Sequence, residues 1–127
     1  LRYATGTGTS TATATATWQV TNLPAGKYDV QVTWQEASTN RASNAPYQIF
    51  DGTTLLATVT VDQHQRPNGP TVNGFAFQSL GQFTISSGTL KVVLSNDADD
   101  YVLADALRVT PASSEPPPPK PATSPAA

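Results

Sequence analysis

The chain has 127 residues, a formal net charge of −2 and 13% charged residues, about half the share of an average soluble domain, and its length suits one domain rather than two. That mild acidity leaves no electrostatic footprint for nucleic acid or for an anionic membrane surface. The absence of cysteine excludes disulfides and thiolate metal sites, and no run approaches the ~20 consecutive apolar residues of a membrane-inserted helix.

The first segment, YATGTGTSTATATATWQV, carries Thr at every odd position from Thr5 to Thr17. The even positions hold Gly6, Gly8, Ser10, Ala12, Ala14, Ala16, Trp18 and Val20. Period two predicts one long β-strand, because successive side chains point to opposite faces. Its even face grows more apolar toward Trp18 and should enter the core there, with the Thr face outward. Thr suits a strand through its branched side chain and cross-strand pairing.

Asn22 to Gly26 reads as a turn. KYDVQVTW then places Tyr28, Val30, Val32 and Trp34 on one face and Lys27, Asp29, Gln31 and Thr33 on the other. A polar loop, 35–45, follows. Pro46 to Phe50 leads into Asp51-Gly52, a hairpin signal, and TLLATVTVD returns with Leu55, Ala57, Val59 and Val61 on one side. A second polar loop is QHQRPNGPTVNG. Phe75 to Ile85 is extended and broken at Gly81, and after Ser86-Ser87-Gly88 the run TLKVVLS turns Leu90, Val92 and Leu94 inward. Asn96 to Asp100 is an acidic turn. YVLADALRV is expected to close the fold as one strand.

Six to eight short strands, turn signals at regular spacing and no helical period predict an all-β fold. The expected architecture is an antiparallel β-sandwich of the jelly-roll, galactose-binding-like kind. Residues 1–110 form that domain. Residues 111–127, PASSEPPPPKPATSPAA, hold 7 of the 11 prolines and no aromatic or branched aliphatic residue. They read as an extended Pro-rich tail, either a linker or a docking arm, and their Ser and Thr fit an O-glycosylated stalk. The lack of methionine suggests one stretch of a longer, processed chain.

Signals of catalysis are nearly absent. The chain has one histidine, His64, and two glutamates, Glu36 and Glu115, the second in the tail. Asp62 with Asp51 or Asp105 has no spacing that suggests a glycosidase pair. No G-x-S-x-G elbow, phosphate loop or H-E-x-x-H occurs. No cofactor is expected. The weakly indicated metal candidate is Ca²⁺ on the alternating oxygens of Asn96, Asp97, Asp99 and Asp100, against the plainer reading of Asx side chains capping a turn.

The two polar loops offer planar hydrogen-bonding groups beside an aromatic residue, which is what sugar recognition uses. The carbohydrate-binding candidates are therefore Arg41, Asn44, Tyr47, His64 and Arg66, with Tyr3, Tyr47 and Tyr101 as the aromatic platforms. Trp18 and Trp34 share faces with apolar residues and belong to the core.

TATWQVTNLPAGKYDVQVTW, NRASNAPYQIFDG, VDQHQRP, FQSLGQFTISSGTLKVVLSN and VLADALRV follow in that order. Together they resemble the golvesin C-terminal, xanthan-lyase carbohydrate-binding-like domain, over about residues 3–110. The most specific pieces are Val61-Asp62-Gln63, Leu80-Gly81-Gln82-Phe83, and Ala104-Asp105-Ala106 followed by Arg108. The resemblance implies a β-sandwich accessory domain without catalysis, from large secreted or cell-surface bacterial proteins. In it Asp62 and Gln63 should hold loops, and Asp105 should join a buried network with the neighbours of Arg108. The chain opens after an acidic first segment that the family carries, so a first strand is expected to be missing. The leading expectation is accordingly a structural or assembly unit, filament-forming by strand addition between neighbouring copies or domains. The alternative is a carbohydrate-binding module that takes polysaccharide and is appended to a secreted enzyme.

Overall fold

The computed structural model describes residues 2–6, 13–69 and 71–112. Eleven strands run through them: β1 Arg2–Ala4, β2 Thr15–Val20, β3 Gly26–Thr33, β4 Ala45–Asp51, β5 Thr54–Val61, β6 Thr71–Val72, β7 Phe75–Ala76, β8 Gln78–Ile85, β9 Leu90–Ser95, β10 Val102–Ala104 and β11 Ala106–Pro111. They form a four-stranded sheet, β2-β9-β4-β5, a three-stranded sheet, β11-β3-β8, and the pairs β1-β10 and β6-β7. Every pairing is antiparallel. The fold is the all-β antiparallel sandwich that the alternation predicts.

The core is what the period-two pattern turns inward. Tyr28, Val30, Val32 and Trp34 come from β3 and the residue after it, and Tyr47, Ile49, Leu90, Val92 and Leu94 come from β4 and β9. Fully burying one such aliphatic side chain contributes about 1.5–3 kcal/mol. Trp18 packs on this core half-buried. Its ring stacks on Tyr47 with centroids 6.4 Å apart and 12° between planes. Thr15 and Thr17 face outward, as expected.

Three local expectations are corrected. The Thr-rich segment is not one strand: its two ends lie in different sheets, β1 on β10 and β2 on β9, with Thr5, Gly6, Thr13 and Ala14 outside strands, and its middle, 7–12, lies outside the described residues. The final strand is also two, because the chain changes partner at Asp105: β10 pairs with β1 and β11 with β3. Leu55 does not join the inner face. Ile49 pairs with Ala57 while Phe50 pairs with Leu55, so a bulge at Leu56 shifts the register and inverts which side Leu55 faces. Leu55 and Leu56 are exposed beside Phe50, over whose ring the Lys91 ammonium lies 4.7 Å from the centroid.

One hairpin stands where a polar loop is expected. Strands β6 and β7 pair as a short hairpin joined by Asn73 and Gly74 at φ 51° and 83°. Two successive positive φ values are what a type I′ turn requires, and Asn-Gly is its preferred pair. The Asp51-Gly52 hairpin does form, with Gly52 at φ 61°.

Candidate functional site

Loops 34–44, 62–69 and 96–101 gather near one end of the sandwich, and they form two different regions. The first is a clasp in which polar groups satisfy one another. Gln63 is wholly buried. Its Nε2 donates to the Leu103 carbonyl at 2.9 Å, and its Oε1 accepts the Leu103 N–H at 2.8 Å. The side-chain amide thus stands in for a strand partner to β10, which pairs through backbone only with β1. Gln63 N–H also donates to Ala42 O, and Ala42 N–H to Tyr101 O. Gln63 holds a loop, as the family resemblance implies, and so does Asp62, whose Oδ1 accepts the His64 N–H at 3.0 Å.

The same economy governs the acidic turn. Asn96 is buried; its Oδ1 accepts from Thr13 and Ala14 N–H, and its Nδ2 donates to Thr5 O and Thr13 Oγ1. The Asp99 carboxylate accepts the Ser43 N–H and hydroxyl, and Asn44 Oδ1 accepts the Asp99 N–H at 3.0 Å. Asp100 caps the Tyr101 N–H. The Ser43 bonds lower the carboxyl pKa of Asp99, and the His64 N–H and ring lower that of Asp62. Among the described residues no three acidic or His groups converge on a metal position. The side-chain oxygens of Asn96, Asp99 and Asp100 accept from backbone and hydroxyl donors, so the Ca²⁺ expectation gains nothing from this geometry.

Most of the sequence-picked sugar residues fall in or near this clasp. Asn44 holds Asp99. His64 Nδ1 lies 2.8 Å from Asp62 Oδ1. Arg41 donates from Nε to Gln35 O and from Nη1 to Asn40 O, bracing its own loop. Tyr47 is a correction: at 0% exposure it is a core residue and offers no platform. Burial also raises the pKa of its hydroxyl, keeping it neutral. Its position in β4 between inward neighbours Ala45 and Ile49 forces this, whatever loop precedes it. The side chain of Tyr3 lies outside the described residues, and Tyr101 is half-buried.

The second region is a groove of about 460 Å³, open on one side and lined by residues 33–36, 66–67, 74–76 and Asp105. Its walls follow from the sequence locally. Trp34 continues the buried face of β3, and its indole N–H donates to Gln65 O at 2.8 Å, which pins loop 62–69 to the end of β3. Thr33 Oγ1 donates to Ala76 O at 2.8 Å, which pins the β6-β7 hairpin to the same place. Gly69 passes so close to Phe77 that a Cβ would sit 2.0 Å from its carbonyl oxygen. The Asn73-Gly74 turn then presents Phe75 with 60% of its surface exposed.

The same groove is lined by the polar residues Gln35, Glu36, Arg66 and Asp105. Asp62–His64 is the one ion pair among the described residues. Arg66, Glu36 and Asp105 therefore keep their charges available to a ligand. Asp105 lies here and not in a network around Arg108, whose Nη1 donates to Gln31 Oε1 instead. Arg66 alone of the five sequence-picked residues lines the groove. Phe75, Gln35 and Glu36 were missed, although Asn73-Gly74 between Thr71-Val72 and Phe75-Ala76 was a hairpin signal that would have singled out Phe75.

The family described as the Golvesin C-terminal domain matches residues 1–111. Among solved structures, the chain is similar to a Paenibacillus xanthan lyase, with a TM-score of 0.63 and 23% identity over 88% of this chain and 11% of that one. It is also similar to a Podospora anserina GH26-CBM35 β-(1,4)-mannanase, with a TM-score of 0.53 and 16% identity over 91% of this chain and 26% of that one. A family 35 carbohydrate binding module from an environmental isolate superposes less closely, at a TM-score of 0.48 and 16% identity over 84% of this chain and 76% of that one. No protein of curated function matches significantly. The chain spans 11% of the length of the first of these enzymes and 26% of that of the second.

Proposed function

The chain belongs to the Golvesin C-terminal domain family, and from that premise we propose that it is a non-catalytic carbohydrate-binding module of a larger secreted polysaccharide-active protein, with the groove beside Phe75 as its sugar site. The observation that carries this reading is the exposed Phe75 ring set among uncommitted hydrogen-bonding groups. A pyranose ring has an apolar face of C–H groups and a rim of hydroxyls. The aromatic ring takes the face, while Glu36, Asp105, Gln35 and Arg66 take the hydroxyls as acceptors and donors. A groove open on one side admits the interior of a chain as well as its end.

Similarity to a xanthan lyase and to a mannanase that carries a family 35 module supports this reading. It reverses the order expected from sequence, where assembly stood above sugar binding. Of the Pro-rich tail on which the docking arm rested, Pro111 ends β11 and Ala112 N–H donates to Lys27 O, while 113–127 lie outside the described residues, and nothing favours strand addition or filaments over the groove. The test is a glycan array probed with the chain and with Phe75→Ala. A defined polysaccharide should be retained by the first and lost by the second. An array blank for the native chain would overturn the assignment.

A further inference from the structure

We propose that the glycan site does not end at the groove but continues as a polar track along the outer face of β3, so that the module reads an extended, uncharged, hydroxyl-rich glycan chain rather than a single ring. This rests on the groove being the sugar site.

The track is a line of hydrogen bonds in series. Arg108 Nη1 donates to Gln31 Oε1 at 2.8 Å, Gln31 Nε2 donates to Asp29 Oδ2 at 2.6 Å, and Ser79 Oγ donates to Asp29 Oδ1 at 2.5 Å. Register lines the track on both sides of β3, unbroken along β11 and across a bulge between Val30 and Gln31 along β8. Arg108 stands opposite Gln31 and Thr110 opposite Asp29 on β11, and Ser79 and Gln82 stand opposite the same two residues on β8. Thr33, next on this face of β3, is itself a groove wall. From Asp29 to Thr33 the strand covers about 13 Å, longer than one sugar ring.

Three features identify the occupant. The face carries no large apolar side chain, whereas the centre of a protein interface is apolar. Along the track and the groove the charges are mixed in sign, Lys27, Arg108 and Arg66 against Asp29, Glu36 and Asp105, so neither an anionic nor a cationic ligand is favoured. Gln31 is only 6% exposed and held from both ends, so the floor is rigid before binding and little ordering entropy remains to be lost. Arg108 has further N–H donors beyond the one bonded to Gln31, and Asp29 has lone pairs beyond the two engaged. These are directed groups for hydroxyls.

The test uses the full chain in calorimetric titrations with β-1,4-linked manno- and gluco-oligosaccharides from disaccharide to hexasaccharide. Affinity should keep rising beyond the disaccharide. Arg108→Ala, and Ser79→Ala with a melting curve to check the fold because Ser79 Oγ also accepts the Gly81 N–H at 3.1 Å, should each weaken the hexasaccharide by roughly threefold to tenfold and leave the disaccharide unchanged. Phe75→Ala should weaken both. An affinity that levels off at the disaccharide, or track variants that bind the hexasaccharide as the native chain does, would overturn the track and leave the groove standing. No binding of any oligomer in either series would overturn it as well. The array then separates the two readings, since retention of another glycan keeps the groove and a blank removes both.

Discussion

The clasp and the groove share the same loops, yet they treat polar groups in opposite ways. In the clasp, the Gln63 amide is matched atom for atom to Leu103, and Asn96 and Asp99 are bonded to backbone donors across 40 or more residues of chain. In the groove, Glu36, Arg66 and Asp105 line a cavity with no ion pair to another described residue. A buried polar group must be satisfied within the chain or it costs stability. A group left uncommitted at a cavity rim instead retains its capacity for a ligand. Hydrophilic loops are therefore not equivalent: one set holds strands together and the other is available for recognition.

Breaking the clasp should unfold the protein without addressing the ligand. Gln63→Leu leaves the Leu103 N–H and carbonyl buried without partners, at a cost of about 2–4 kcal/mol. Thermal denaturation should show Tm lower by roughly 10–20 °C, while the remaining folded protein keeps its glycan affinity. Breaking the groove should do the reverse. Phe75→Ala removes an exposed ring, so Tm should stay within a few degrees, whereas glycan affinity should fall tenfold or more, about 1.4 kcal/mol. If both variants lose stability and binding together, the two regions are not separable.

A pH series sharpens the comparison away from the groove. Asp51 caps the β8-to-β9 turn through bonds to Ser87 and Ser86, and those bonds lower its carboxyl pKa from 3.8 to about 2. A carboxyl depressed in the folded state contributes stability above its unfolded value and loses it on protonation. The contribution should be complete above about pH 4 and fade toward pH 2, and Asp51→Asn should remove that part of the slope in acid melts. Least of all, His64→Ala should leave glycan affinity unchanged, because His64 faces Asp62 in the clasp. A loss of binding there would move the site.

The division between legible and illegible follows the same physics. Period-two alternation revealed β3, β4 and β9 because burial on one face repeats every second residue. It failed at Leu55, where one inserted residue inverts the facing, and at Asp105, where a strand changes partner without any change of composition. Trp34 was placed in the core correctly, but its indole bond to Gln65 could not be foreseen, since it joins residues from two loops. Tyr47 was misplaced because it was counted with the loop before it rather than with the inward face of β4. Asp105 and Glu36 lie far apart in sequence and come to one groove only through the antiparallel pairing of β3 with β11. Phe75 was within reach of sequence, through the Asn73-Gly74 turn beside it.

The most direct measurement is an amide chemical-shift map of the ¹⁵N-labelled chain titrated with the tightest glycan from the array. Perturbations should centre on Thr33, Glu36, Arg66, Gly74, Phe75 and Asp105. Perturbations centred instead on Ser43, Asn44, His64 and Asp99 would place recognition in the clasp and contradict the groove.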